Sequence, residues 1–286
     1  MTSFLGNKRP ILSQIASHRT ASIGAVIIIL LIGIAVCAPV ISPHDPVEQH
    51  LDDRLQSFSH EYPLGTDHLG RCILSRIFHG ARVSLLVAVS VVIAGLSIGL
   101  LFGVIAGYYG GMADWLIVRL IDLWLAFPNL ILILVIVGIF GQSIFNLTFA
   151  LSIVNWQGYT RLVRGMVLSE KQKEFVLAAR ALGVSNRRII LHHILPGCLG
   201  PIFVIAALNM GHVILSIAGL GFLGLGPPPP TPEWGSILND GLLFLRSAPH
   251  LMFFPGFAIS FTVLAFTLLG DGLRDIFDPR GRFFQN

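Results

Sequence analysis

The length of its uncharged apolar runs is what most constrains this chain. Residues 83–112 contain no Asp, Glu, Lys or Arg, and residues 21–41 are equally free of charge and rich in Ile, Leu and Val. A helix needs about 20 predominantly apolar residues to cross a bilayer, where its backbone N–H and C=O groups must be paired within the segment. Runs of this length commit the chain to membrane-spanning helices. Further apolar stretches at 114–140, 144–159, 197–223 and 251–269 give an all-α integral membrane protein with six transmembrane helices. Composition agrees, since 54% of the 286 residues are hydrophobic and only 12% are charged. The first run lacks a small-residue cleavage pattern with a soluble remainder behind it, so it reads as a retained span. The net charge of +4 forms no long basic patch with interleaved aromatics, which argues against nucleic-acid binding.

Between the spans the chain divides into a polar N-terminal segment (1–20), a six-span domain (21–273) and a polar tail (274–286). Residues 42–80 form an external polar segment with His44, His50, His60, His68 and His79 beside Asp45, Asp52, Asp53 and Asp67. Their spacing matches no familiar ligand motif, and no metal site is assigned. Cys37, Cys72 and Cys198 likewise form no metal-spaced pair. Residues 69–78 read as an interfacial helix before the second span. In that span Gly95, Gly99 and Gly103 recur every fourth residue and make a flat face for close helix packing, and Gly107, Gly110 and Gly111 form a turn. Pro128 bends the third span. Arg119 and Asp122 share a face of that helix, and Asn209 and His212 are polar inserts in the fifth. Polar residues inside a membrane mark either structural pairs or a solute path, so these four are candidates for a translocation path. The stretch at 227–235 cannot continue a helix, and 236–246 reads as a short lateral one.

Residues 170–196, EKQKEFVLAARALGVSNRRIILHHILP, are an island of charge in this apolar chain. They read as helix, turn, helix: good helix formers over 174–182, a C-cap glycine at Gly183, Ser185 as N-cap of a second helix from Asn186 to about His193, and Pro196 as its stop. With six spans, this island shares one side of the membrane with both termini. That side carries Lys8, Arg9, Arg19, the arginines and lysines of 161–188, and Arg274, Arg280 and Arg282; the other carries Arg54, Arg71, Arg76, Arg82 and Arg246. The bias places both termini and the island in the cytoplasm.

Two adjacent alanines (Ala178, Ala179), a glycine four residues beyond them (Gly183) and an Ile194-Leu195-Pro196 ending resemble the "EAA" loop of ABC importer inner-membrane permeases. The family's glutamate falls on Leu177, with Glu174 one turn earlier. Residues 63–85, 126–141, 221–235 and 268–282 are similar to the C-type permease of the dipeptide/oligopeptide/nickel importer group, with Cys72 where aspartate is common. The resemblance covers nearly the whole chain. It implies a permease subunit in a bacterial inner membrane, paired with a homologous second permease and fed by an extracytoplasmic solute-binding protein. Two cytoplasmic ATPase subunits or domains that bind ATP and Mg2+ would drive it. By the same resemblance the ATPase-docking residues are Glu174, Ala178, Ala179, Arg180 and Gly183, with Ser185, Asn186, Arg187 and Arg188 nearby. The solute expected is a dipeptide or short oligopeptide, with nickel, a metal-chelate or glutathione as alternatives.

The chain has no GxxxxGK[ST] run, so any ATP hydrolysis belongs to another subunit, and no HExxH, CxxC or GxSxG motif points to an enzyme. An ion-coupled transporter centred on Arg119, Asp122, Asn209 and His212 is the main rival, but it leaves the island unexplained. A scaffold could use the island without moving solute.

Overall fold

The computed structural model describes residues 11–277. Within them the fold is helical, with no strand longer than an isolated bridge between Thr66 and Cys72. Lys8, Arg9, Arg280 and Arg282, which contribute to the charge bias, lie outside the described residues.

A short helix α1 (Ile11–Ser17) leads into α2 (Arg19–Ile41), whose uncharged sequence matches the expected first span. The polar segment 42–72 is irregular, and its apolar side chains Leu55 and Leu64 join Ile73, Ile77, Phe244, Ala248 and Leu251 in a small shared core. The next helix, α3 (Ile73–Tyr109), is longer at its start than the uncharged run. The interfacial helix expected at 69–78 is therefore the beginning of α3 itself, because Ile73 and Arg76 are buried against the rest of the chain and do not lie on a surface. Gly107 is also helical, not part of a turn, while Gly110 and Gly111 turn the chain with φ of +68° and +55°.

The third span is broken. α4 (Gly111–Leu125) and α5 (Asn129–Phe140) meet at 82° across Pro128, so the proline does not merely bend one helix. Proline removes a backbone donor and disfavours helix at the residue before it. Here Ile133 and Val137 of α5 pack into the main core, which holds the new direction. Ser143 accepts a hydrogen bond from the Asn146 N–H and caps α6 (Ile144–Glu170), which runs past the expected end at 159 into the charged island. α7 (Glu174–Ala181) and α8 (Asn186–Ile189) follow. The second island helix does not stop at Pro196. A π-type segment, Ile190–Ile194, joins α8 to α9 (Leu195–Phe222), and Pro196 follows directly on that widened segment inside one continuous helix. The lateral helix is α10 (Trp234–Gly241), extended by a 3₁₀ turn, and α11 (His250–Phe277) closes the bundle.

By length and composition four helices can cross a membrane: Arg19–Ile41, Ile73–Tyr109, Asn186–Phe222 and His250–Phe277. There are up to five if the bent α4–α5 pair is one span. α6 is long enough but carries Asn155, Gln157, Arg161 and Arg164. The main core lies between α2, α3, α5, α6, α9, α10 and α11. Its most extended close seam is α3 on α6. A β-carbon on Gly99 would sit 2.3 Å from Tyr159 Cβ, and one on Gly103 2.6 Å from Val163 Cβ. The glycine stripe is therefore a packing face, as its spacing predicts, and it continues through Gly107, whose β-carbon would meet Val167 at 2.8 Å.

Candidate functional site: the elbow between α6 and α9

The island forms an elbow with two unlike faces. Glutamate at its start and arginine at its end suit the dipole of α7, which has Glu174 in the first turn and Arg180 in the last. Gly183 has φ of +75°, the left-handed conformation that lets the chain reverse without a β-carbon penalty. Ser185 occupies the N-cap of α8, although its hydroxyl makes no capping bond.

The inner face is held firmly. Val176 and Ile189 are fully buried, and with Ala179 they join Tyr108, Val163, Val167, Ile194, Cys198 and Ile202 in one cluster. Three polar contacts fasten the elbow to the end of α3. Tyr108 Oη donates to Asn186 Oδ1 at 2.7 Å, Lys171 Nζ donates to the Gly107 carbonyl at 2.8 Å, and the Arg180 guanidinium lies 5.4 Å from the Tyr108 ring centre. Lys171 thereby covers carbonyls left open at a helix C-terminus. Next to it, Arg164 of α6 donates to Asp114 of α4 in a two-pronged ion pair, one prong at 2.7 Å. Glu170 Oε1 accepts from Lys173 Nζ at 2.6 Å, and its carboxylate rests on Gly197, where a β-carbon would lie 2.7 Å away.

The outer face is apolar at its centre. Phe175, Leu177 and Leu182 are exposed, Leu182 to 83%. Glu174, Ala178, Arg180, Gly183, Ser185, Asn186, Arg187 and Arg188 are also exposed. Of the residues expected to dock a partner, only Ala179 is turned inward, because it shares the buried side of α7 with Val176. Tyr108, Asp114, Arg164 and Lys171 escape sequence reasoning. The Asp114–Arg164 pair spans 50 positions and no local pattern announces it.

The path candidates do not converge. Arg119 and Asp122 pair at 3.8 Å on an exposed face of α4, 65% and 56% exposed, and Arg119 also covers Trp115. Asn209 is half-buried and His212 exposed on α9. Among the described residues no hydrogen bond or ion pair links the two sets. The histidines of 42–80 are dispersed as well: His44 stacks on Tyr62, His68 stacks on Phe244, and His79 contacts Ser42 and Ser75. Asp67, His68 and Asp240 come close enough to share a cation. Both carboxylates are already bound by guanidinium groups, however: Arg71 Nε lies 2.6 Å from Asp67, and Arg71 and Arg76 both reach Asp240. That charge balance disfavours a metal.

Two further features frame the end of the bundle opposite the elbow. Glu233, fully buried, caps α10 by accepting from the N–H groups of Gly235 and Ser236 and from the Ser84 hydroxyl. Burial pushes its carboxyl above the usual range, and those three donors pull it back. Cys72 is the N-cap of α3 and offers no capping bond, while Nε and Nη1 of buried Arg76 lack hydrogen-bond partners. Cys72→Asp is expected to raise stability by about 1 kcal/mol by capping α3, measured as a higher melting temperature. An unchanged or lower value would refute the capping argument.

Comparison with known proteins places this geometry in a family. Residues 99–283 match the family described as binding-protein-dependent transport system inner membrane component, and residues 11–57 match the N-terminal TM domain of oligopeptide transport permease C. The chain is 46% identical over 272 residues to the dipeptide transport system permease protein DppC of Alkalihalophilus pseudofirmus, covering 95% of this chain and 90% of that protein. It is 41% identical to the DppC of Haemophilus influenzae, covering 92% and 91%. It is 44% identical to the glutathione transport system permease protein GsiD of Pectobacterium atrosepticum, covering 88% and 84%. With a family match over most of its length and relatives this similar, the chain belongs to the inner membrane components of binding-protein-dependent transport systems, as a C-type permease of an ABC importer.

Proposed function

We propose that this permease forms half of the translocation pathway for dipeptides or short oligopeptides and is moved by ATPase subunits docked on the elbow. It spans a bacterial inner membrane six times, with α6 and the α4–α5 pair each counted as a span, and holds both termini and the elbow in the cytoplasm. A homologous second permease completes the pathway. An extracytoplasmic binding protein delivers the solute, and ATP and Mg2+ belong to two partner ATPases. The substrate class follows the names of its relatives, several of which are dipeptide permeases. Glutathione is the second reading, favoured by the GsiD relatives, and is itself a small peptide.

One observation carries the mechanism: the elbow's inner side is locked to α3, α6 and α9 while its outer side presents apolar groups to solvent. An apolar centre of Phe175, Leu177, Ala178 and Leu182 with Glu174, Arg180, Arg187 and Arg188 around it has the anatomy of a protein–protein interface. An ATPase pair that closes on ATP would push on this face. The push passes through Val176, Ile189 and Tyr108 into the spans and alternates access to the pathway.

Gly183→Pro is expected to insert normally but to lose copurifying ATPase and peptide uptake, because proline cannot adopt φ of +75°. Gly183→Asn, which tolerates that conformation, is expected to keep both. Normal amounts of active ATPase on the proline variant would count against the docking role.

A further inference from the structure

At the end of the bundle nearest α1, a groove of about 340 Å³ opens between α9 and α11. Five of its lining residues, Pro201, Val204, Ile205, Leu208 and Phe277, are apolar, and the sixth is Arg274. Its floor belongs to a small cluster in which Val204, Ala207 and Leu273 are buried and Ile15 of α1 packs against them. Arg274 lies in the last turn of α11, a helix apolar and long enough to cross a membrane, so the groove sits where hydrocarbon gives way to headgroups. Its side chain is exposed and forms no ion pair among the described residues. The two acids on the same helix end do not neutralise it. Asp275 faces His18 at 3.5 Å, and Asp271 is exposed without pairing to Arg274.

We propose that this groove binds an anionic phospholipid, with an acyl segment along Pro201, Val204 and Leu208 and the phosphate on Arg274. Lipid tails are as apolar as leucine, so the groove alone would not choose among lipids. It is filled because an empty cleft forfeits dispersion contacts on one side. The choice comes from the Arg274 guanidinium, left without an ion pair among the described residues, which matches a phosphate in geometry as well as charge. The inference needs only that α9 and α11 cross a membrane, so it stands apart from the peptide and ATPase readings.

The full-length chain, purified with whatever subunits accompany it, would be titrated in native mass spectrometry with phosphatidylglycerol, phosphatidylethanolamine and inorganic phosphate. Phosphatidylglycerol is expected to be retained over phosphatidylethanolamine, and free phosphate is expected not to displace it. Arg274→Gln should weaken phosphatidylglycerol binding about fivefold, the effect of one basic side chain near an anionic surface, while Arg274→Lys, which keeps the charge but not the planar fork, should fall between the two. Leu208→Trp, which fills the groove, should lower retention as well. Equal retention of both lipids, an unchanged Arg274→Gln, or displacement by free phosphate would each overturn the proposal. If the tryptophan variant does not fold, Arg274→Gln decides alone, since Arg274 is exposed and has no ion pair among the described residues.

Discussion

Replacing Asp67 with alanine is expected to destabilise the end of the protein where residues 42–76 meet α10 by about 3–5 kcal/mol, the cost of removing one partner from a buried ion pair. The side chains of Asp67, Arg71 and Arg76 are only 3–4% exposed. Asp67 Oδ1 accepts from the N–H groups of Leu69 and Arg71, and Oδ2 accepts from Arg71 Nε and lies 3.6 Å from Arg76 Nε. Without it two buried guanidinium groups would share only Asp240, which is 30% exposed. Asp240→Ala is expected to cost less, because water reaches that carboxylate. Melting temperatures of the purified variants and protease resistance of residues 42–72 measure both effects. A melting temperature for Asp67→Ala equal to that of the parent protein would show that the network contributes nothing to stability.

Enlarging Gly99 should be nearly as damaging. Its β-carbon would lie 2.3 Å from Tyr159 Cβ and 3.0 Å from the Thr160 backbone nitrogen, so α3 and α6 would have to separate. Gly99→Ala is expected to cost about 1–3 kcal/mol through overpacking, and Gly99→Leu to prevent monodisperse protein from being recovered. Gly95→Ala supplies the graded comparison. Its β-carbon would first meet the Tyr159 ring edge at 3.1 Å, a contact that a small ring movement relieves. Thermal denaturation should rank the alanine variants with Gly99 well below Gly95, and equal melting temperatures would refute the close-packing account.

These two variants also mark what the sequence makes legible. The glycine stripe is visible because its period of four matches a helix face, and the spans are visible because uncharged runs need no partner to be recognised. The ion network is invisible because Arg71 and Asp240 are 169 positions apart, and nothing local to either residue announces the other. Proline is ambiguous for a related reason. Pro128 breaks a helix while Pro196 sits inside a continuous one, and the difference lies in what packs beside each of them: Ile133 and Val137 in the main core after Pro128, Ile194 and Cys198 in the elbow cluster on either side of Pro196. The elbow's turn could be read from Gly183. Which of its two alanines faces inward depends on Val176 and Ile189 finding the end of α3, a tertiary fact.

The close α3–α6 seam has a mechanical consequence. Tyr159, Val163 and Val167 sit directly on the glycine backbone of α3 with no room for a β-carbon between them, so this pair should travel as a single stiff plate whenever the elbow is displaced. The compliance must then reside at its margins, above all at the right-angled corner around Pro128, where α4 and α5 have few buried side chains to restrain them. Motion would be seen there first, as rapid amide exchange at the corner beside a seam that hardly exchanges.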